Sequence, residues 1–247
     1  MVPSRLILDA PASGSWNMAV DGAMLESVAA GSDPCLRFYG WKPATLSLGY
    51  FQATSQRNVH IGSASLPVVR RSTGGGAIVH EHELTYSLVV PAKTRFSPGG
   101  AQLVADIHEA LIQALAQWNV AVTLVDPCTQ RRSQDEPFLC FQRRASGDVI
   151  LSDYKICGSA LRQRHGATLV HGSVLVAKSR YASELPGINN LTARPVPVGE
   201  LTAAWTQELG TKLEFTFERD RLSDSEVQRA RQLESRRYAA AAWTLKR

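Results

Sequence analysis

Residues 70–80 read Arg-Arg-Ser-Thr-Gly-Gly-Gly-Ala-Ile-Val-His, and no other stretch narrows so much what this chain can become. Three consecutive glycines lose much backbone entropy on ordering and bring no side chain to pack. Apolar, strand-like runs flank them: Pro67–Val69 before, Ala77–Val79 and Leu84–Val90 after. A folded chain keeps such a segment where bare backbone must lie close to something, and a ligand is the natural occupant. Arg70 and Arg71 add positive charge, Ser72 and Thr73 add hydroxyl donors, and Gly74, Gly75 and Gly76 add backbone N–H groups. Together they suit an anionic or strongly polarised group. A glycine-rich hairpin turn with its arginines in water accounts for the same residues equally well. No Gly-Lys-Ser/Thr ends the loop, it lacks Gly-x-Gly-x-x-Gly, and no helix follows it, so Walker-type and dinucleotide binding are disfavoured.

Around the loop, hydrophobic periodicity outlines the elements. Ser4 to Asp9 reads as a strand, and Ser15-Trp16-Asn17 opens a helix that Gly31 closes. Leu36–Trp41 alternates as a strand with Pro43–Tyr50 as its expected hairpin neighbour. Leu103, Ile107, Leu111, Leu115 and Trp118 mark the clearest amphipathic helix. Val120–Val125 is strand-like, and Asp126 to Glu136 forms a polar, charge-rich connection. Further strands are expected at 148–151, 154–157 and 168–176. A helical segment begins at about 198 and is broken at 212–217. Strands and helices mix without βαβ regularity, which predicts an α+β domain spanning 1–247.

The formal charge of +5 suits an acidic partner without choosing one. Nucleic acid is not that partner on this reading, because helix-turn-helix spacing, zinc ligands and ribonucleoprotein aromatics are all missing from the sequence. Cys35, Cys128, Cys140 and Cys157 have neither zinc-finger nor Cys-x-x-Cys spacing, so reduced thiols and no metal centre are expected. The chain opens without an export-signal pattern and holds no apolar run of membrane-spanning length, so the expectation is a cytoplasmic protein, with no membrane partner and a monomeric state.

Several motifs now share one pattern. Arg70-Arg71-x-Thr73-Gly74-Gly75-Gly76-Ala77-x-x-His80, followed by Glu83–Ser87, resembles the signature loop of the lipoate-protein ligase and octanoyltransferase superfamily. Asn17–Leu25 is similar to that family's first helix, Leu36–Gln52 to its first hairpin, and Tyr154–Val176 to its Lys-x-x-Gly-Ser-Ala and His-Gly-Ser segment. The close of the chain, Arg237–Arg247, is similar to the end of the family's short members. The resemblance implies a mixed central β-sheet flanked by helices, the biotin/lipoate ligase catalytic-domain architecture, with an acyl chain in a tunnel whose reactive end the loop covers. It places Lys155 beside the acyl carbonyl, where an ammonium would stabilise developing negative charge. Gly158, Ser159, His80 and His171 fall in the same motifs and would line or orient the acyl end.

Two chemistries divide this superfamily. Ligases activate free lipoate with ATP and Mg²⁺, whereas transferases move octanoate from a thioester through a cysteine and need no cofactor. Cys140, in Phe138-Leu139-Cys140-Phe141, stands at the spacing from Lys155 that the Gram-positive type of octanoyltransferase shows. A thiol there exchanges readily with a thioester, and a nearby ammonium would favour the thiolate. The alternative for Cys140 is a small side chain filling an apolar niche. Cys35, Cys128 and Cys157 read as packing or surface residues, and His60, His82, His108 and His165 carry no signal. Gly76, Leu161 and Asp153-Tyr154 depart from the transferase pattern. The expected activity is octanoyl transfer from acyl carrier protein through Cys140 to a lysine of a lipoyl domain such as the glycine-cleavage H protein. An ATP-dependent ligase and a lipoyl-domain amidotransferase are the alternatives. Arg131-Arg132 and Arg143-Arg144 would be docking charges for an acidic partner or a plain solvated run.

Overall fold

The structure is a computed structural model that describes residues 1–92, 100–126 and 137–247. Cys128, Arg131-Arg132 and most of the expected 126–136 connection lie outside the described residues. Strands β1 (Val2–Leu8), β2 (Cys35–Tyr39), β3 (Thr45–Leu48), β4 (Val68–Arg70), β5 (Ile78–His80) and β6 (Glu83–Pro91) occupy the first part of the chain. β7 (Val122–Leu124), β8 (Val149–Leu151), β9 (Tyr154–Arg164), β10 (Ala167–Leu175) and β11 (Phe215–Asp220) follow. The helices are α1 (Gly14–Ala29), α2 (Ala101–Ala116), α3 (Ile188–Leu191), α4 (Val198–Leu213), α5 (Asp224–Leu233) and α6 (Ala241–Thr244).

Eight strands form one mixed sheet in the order β11-β1-β2-β6-β10-β9-β8-β7. β1 runs parallel to both β11 and β2, and every other pairing is antiparallel. Alternation along the central strands divides their side chains between two layers. Leu84, Tyr86, Leu88 and Val90 of β6 join Leu103, Ile107 and Leu111 of α2 and Trp205 of α4 in one core. Cys35 and Tyr39 of β2, Val89 of β6 and Leu169 of β10 face Met18, Val20, Met24 and Val28 of α1 in a second. The mixed sheet is therefore sandwiched between α1 with α5 and α2 with α4. Trp205 is fully buried; it donates its indole N–H to the Ile107 carbonyl at 3.1 Å and meets Tyr86 edge-on at 4.8 Å.

β3 does not pair with β2, against the expected hairpin. It is the centre of a separate three-stranded sheet, β4-β3-β5, parallel to β4 and antiparallel to β5. The glycine loop joins β4 to β5, so it crosses over β3 and is not a hairpin turn. A third core beneath it gathers Leu46, Leu48, Leu66, Ala77, Val79 and Leu139. The broken helical segment after 198 also resolves: its strand is β11, which completes the edge of the main sheet beside β1.

Candidate active site

The glycine loop and Cys140 hold each other by backbone. Ala77 donates its N–H to the Phe138 carbonyl at 3.1 Å, and Cys140 returns one to the Ala77 carbonyl at 2.7 Å. Gly76 lies so close that a Cβ there would stand 3.0 Å from both the nitrogen and the Cα of Cys140. Gly75 takes φ +90°, a conformation glycine adopts freely, and its empty Cβ position is 3.9 Å from the Cys140 sulfur. A Cβ on Gly49 of the neighbouring segment would collide with the Gly75 carbonyl. Close backbone approach thus requires glycine at 76 and 49, and the left-handed backbone favours it at 75.

Arg71 orders this loop from inside. Its buried guanidinium donates to the Ser47 carbonyl and hydroxyl and to the carbonyls of Gly74 and Gly76. Burial lowers its pKa to about 10, so it remains a cation at neutral pH. Arg70 is placed differently from the sequence expectation. It is fully buried, and its donors reach the carbonyls of Gly49, Gln52 and Thr244 and the Thr54 hydroxyl. It anchors the base of the loop and lies outside the cavity lining.

Lys155 stands opposite. Its Nζ is 3.8 Å from Cys140 Sγ and 2.8 Å from Asp148 Oδ2. Burial works against this charge, but the facing Cys140 sulfur and the Asp148 carboxylate outweigh it, leaving the Lys155 pKa above the ordinary lysine value. Gly158 makes the placement possible: a Cβ there would lie 2.6 Å from Lys155 Nζ. A register shift between β8 and β9 at Val149/Ile150 breaks strict alternation here. Ile156 and Cys157 consequently both enter the core against α2, while the Lys155 ammonium lies beside Cys140. Burial pushes the Cys157 thiol well above the ordinary range, and Cys35, buried too, is pushed up to about 12, leaving half-buried Cys140 as the accessible thiol among the described residues.

These groups border a cavity with about 430 Å³ of empty space, its open mouth included. Met18, Tyr39, Trp41 and Ile78 give it apolar walls, and Arg71, Gly74, Gly75, His80, Cys140, Gly158, Ser159 and His171 are among its other lining residues. Three buried histidines brace it. His171 contacts Thr73 Oγ1 at 2.6 Å through Nε2 and Asp21 Oδ2 at 3.1 Å through Nδ1. His80 contacts Ser47 Oγ at 2.7 Å and Glu83 Oε1 at 2.6 Å, and its ring stacks on Trp41. Burial lowers the His80 pKa, while the Glu83 pKa falls because His80 outweighs the opposing effect of burial; a neutral ring thus donates Nδ1–H to a carboxylate.

The third histidine, His108 on α2, had no signal in the sequence. Its Nδ1 faces the Gly147 carbonyl at 2.6 Å, which can only accept, so Nδ1 carries the proton. Burial lowers the His108 pKa, leaving Nε2 a bare acceptor for the Ser159 hydroxyl at 2.7 Å. With that hydrogen committed, the Tyr86 hydroxyl must donate to Ser159 Oγ. Asp21 was missed in the same way: Arg37, Tyr39, Ser87 and His171 all converge on its carboxylate. Burial opposes that charge, but the hydrogen bond from His171 and the Arg37 cation hold the Asp21 pKa below the usual carboxylate value. The spacing Asn17-x-x-x-Asp21 on a helix facing a sheet was the one available hint. Arg143 and Arg144 lie near the chain turn after Cys140, donating to the carbonyls of Pro137 and Asp153. Among the described residues no cluster of metal-ligating side chains occurs, and no helix is long and apolar enough to cross a membrane.

Residues 13–194 match the family model of the lipoyl protein ligase A/B catalytic domain. The octanoyltransferase LipM of Lysinibacillus sphaericus is 31% identical, with 95% of this chain and 96% of that protein aligned. The octanoyltransferase LipM of Bacillus subtilis is 28% identical over 98% of each chain. Among solved structures, a bipartite lipoate protein ligase from Thermoplasma acidophilum, described with its E2 lipoyl domain, has the same fold. It superposes with a TM-score of 0.79 at 21% identity, over 99% of this chain and 97% of that one. A lipoate-protein ligase A bound with ATP gives 0.79 at 23% identity over 98% of each.

Proposed function

Because this chain belongs to the lipoyl protein ligase A/B catalytic-domain family, we propose that it is an octanoyltransferase of lipoate synthesis working through a Cys140 thioester. The observation that carries this reading is the pairing of Cys140 Sγ and Lys155 Nζ, 3.8 Å apart, at an apolar cavity. In the first step the Cys140 sulfur attacks the octanoyl carbonyl of an acyl carrier protein thioester. The carbon–sulfur bond to the carrier breaks, the carrier sulfur leaves and takes up the proton that Cys140 gives up, and the octanoyl group remains on Cys140. In the second, the neutral amine of a lipoyl-domain lysine, such as that of a glycine-cleavage H protein, attacks the new thioester. An amide forms, the Cys140 sulfur leaves, and the amine's proton returns with it. The Lys155 ammonium, anchored by Asp148, and the N–H groups of the glycine loop would stabilise the oxyanion of each tetrahedral intermediate. The walls formed by Met18, Tyr39, Trp41 and Ile78 suit an unbranched acyl chain. The acyl group arrives already activated: the first step exchanges one thioester for another and the second runs downhill from thioester to amide, so the reaction as proposed uses neither ATP nor Mg²⁺.

Intact-mass analysis of the protein mixed with octanoyl-acyl carrier protein, without ATP, tests this. The expected result is one octanoyl adduct that maps to Cys140, discharges to a lipoyl-domain lysine and is absent from Cys140→Ser. No adduct, with modification of the lipoyl domain only when ATP and free lipoate are supplied, makes the protein a ligase and Cys140 a packing residue.

A further inference from the structure

The glycine loop has an outer side whose chemistry the cavity does not use. Tyr50 donates its N–H to the Thr73 carbonyl at 2.8 Å, and Phe51, 71% exposed, lies against Gly74. Cations gather around these rings. Lys246 Nζ is 3.3 Å from the Tyr50 centroid, and the Arg247 guanidinium is 5.4 Å from both Tyr50 and Phe51. Arg237 stacks on Trp243 at 3.7 Å. Arg162, 5.8 Å from Tyr50, reaches the loop itself, donating to the Ser72 carbonyl at 2.6 Å.

Two features show that this patch is more than scattered surface charge. First, the cations crowd one another. The Arg237 pKa is lowered, by burial first and then by the neighbouring Arg162 and exposed Arg164. That of Lys246 is lowered too, by burial first, with Arg70 and Arg237 adding to the effect against the attraction of Tyr50. Second, among the described residues none of Arg162, Arg164, Arg237, Lys246 and Arg247 has a carboxylate within ion-pair distance, and the buried Arg237 Nε has no hydrogen-bond partner. The fold draws five like charges from β9, the turn after α5 and the end of the chain to one place. Such a field attracts an anionic partner and raises its encounter rate.

We propose that this patch docks the acidic face of the donor carrier protein, seating it so that its thioester arm reaches past the glycine loop to Cys140. The proposal rests on the octanoyl-transfer reading and deepens it by assigning the donor's binding surface. Charge complementarity supports it, because acyl carrier proteins are acidic, and exposed Phe51 with Tyr50 offers aromatic contact among the cations. The position favours donor over acceptor. None of the five cations lines the cavity, so a protein seated there sits to one side of the sulfur. A thioester on a long flexible arm tolerates that offset, whereas an acceptor lysine must come within its own side chain's reach of Cys140.

The test compares Arg164→Glu/Lys246→Glu/Arg247→Glu with wild type, and with the triple glutamine variant in case charge reversal perturbs folding. Acylation of Cys140 is followed with octanoyl-acyl carrier protein and with octanoyl-pantetheine, which carries no protein surface. The expected result is a fall of at least about tenfold in the rate with the carrier protein, a flatter dependence on ionic strength, and an unchanged rate with the small thioester. The glutamine variant should show the same selectivity with a smaller effect. Equal rates with the carrier protein, an equal fall with both thioesters, or a defect confined to discharge onto the lipoyl domain would each overturn the proposal. Failure of the transferase reading looks different: wild type would then accept octanoate from neither thioester. Carrier binding by titration would decide the patch in that case, its loss in the variant supporting the proposal and its retention overturning it.

Discussion

A missing carbon decides where the Lys155 ammonium lies. In Gly158→Ala the new Cβ would occupy the space of Lys155 Nζ and Cε, so the ammonium must move off Cys140 while the strand pairing around it is kept. Acyl-enzyme formation is expected to fall roughly 10- to 100-fold, with little change in melting temperature, when burst kinetics and thermal unfolding are compared with wild type. Asp148→Asn should act on the same charge from the other side, removing the carboxylate 2.8 Å from Nζ. A rate of acylation equal to wild type in that variant would sink the role given to Asp148. At this scale the sequence was informative where a family motif carries its own spacing: Cys140 and Lys155 were paired because their interval resembles that of the Gram-positive type of octanoyltransferase. It was silent on Asp148 and His108, because each matters only through an atom on another segment. Arg70 read as a ligand cation for an equally physical reason. Charge next to a glycine loop suggests an anion, and nothing in the sequence shows that the carbonyls of Gly49, Gln52 and Thr244 are already waiting for it.

The elements most responsible for the site are α1 and the β4–β5 connection, joined through Asp21, His171 and Thr73. Asp21→Asn keeps the shape but removes one of the two carboxylates that face the buried Arg37 guanidinium, leaving Asp9 at 2.7 Å. Losing one charged partner of a buried hydrogen-bond cluster costs about 1–3 kcal/mol, expected as a lower urea midpoint with an unchanged m-value. Thr73→Val, by contrast, frees the loop from His171 without disturbing Arg37. It should slow acylation more than it lowers stability. Periodicity outlined α1, α2 and most strands well, because burying one face imposes it. It failed at β3, whose Thr45–Leu48 run is fully buried and alternates with nothing to indicate a partner. A strand's pattern says which way its side chains point, and leaves open whether β2 or β4 lies next to it.

Across the whole molecule, the buried neutral histidines make stability depend on pH. The pKa values of His80 and His108 are lowered by burial from the ordinary 6.5. Below that value the unfolded chain binds protons that the folded one refuses, so stability is retained above about pH 6.5 and falls as the pH drops beneath it. The melting temperature should decline between pH 7 and pH 5, and His108→Gln should flatten that decline even though it lowers the starting value. A decline equally steep in the variant would remove His108 from this account. The α+β class was legible from the intermingled strands and helices, and the mixed sheet followed from the family resemblance, but the closure of its edge was legible from neither, since β11 follows its partner β1 by some two hundred residues. The same long reach recurs at the loop, where Arg70 donates to the Thr244 carbonyl and Trp243 Nε1 donates to the Arg70 carbonyl. For a chain still being synthesised this imposes an order of events. Residues 70–80 leave the ribosome early, but their anchor arrives only when residue 244 does. A product cut short before residue 215 therefore lacks both the sheet's last strand and the C-terminal brace at the base of the glycine loop, so sheet edge and loop base alike are fastened by the last part of the chain to be made.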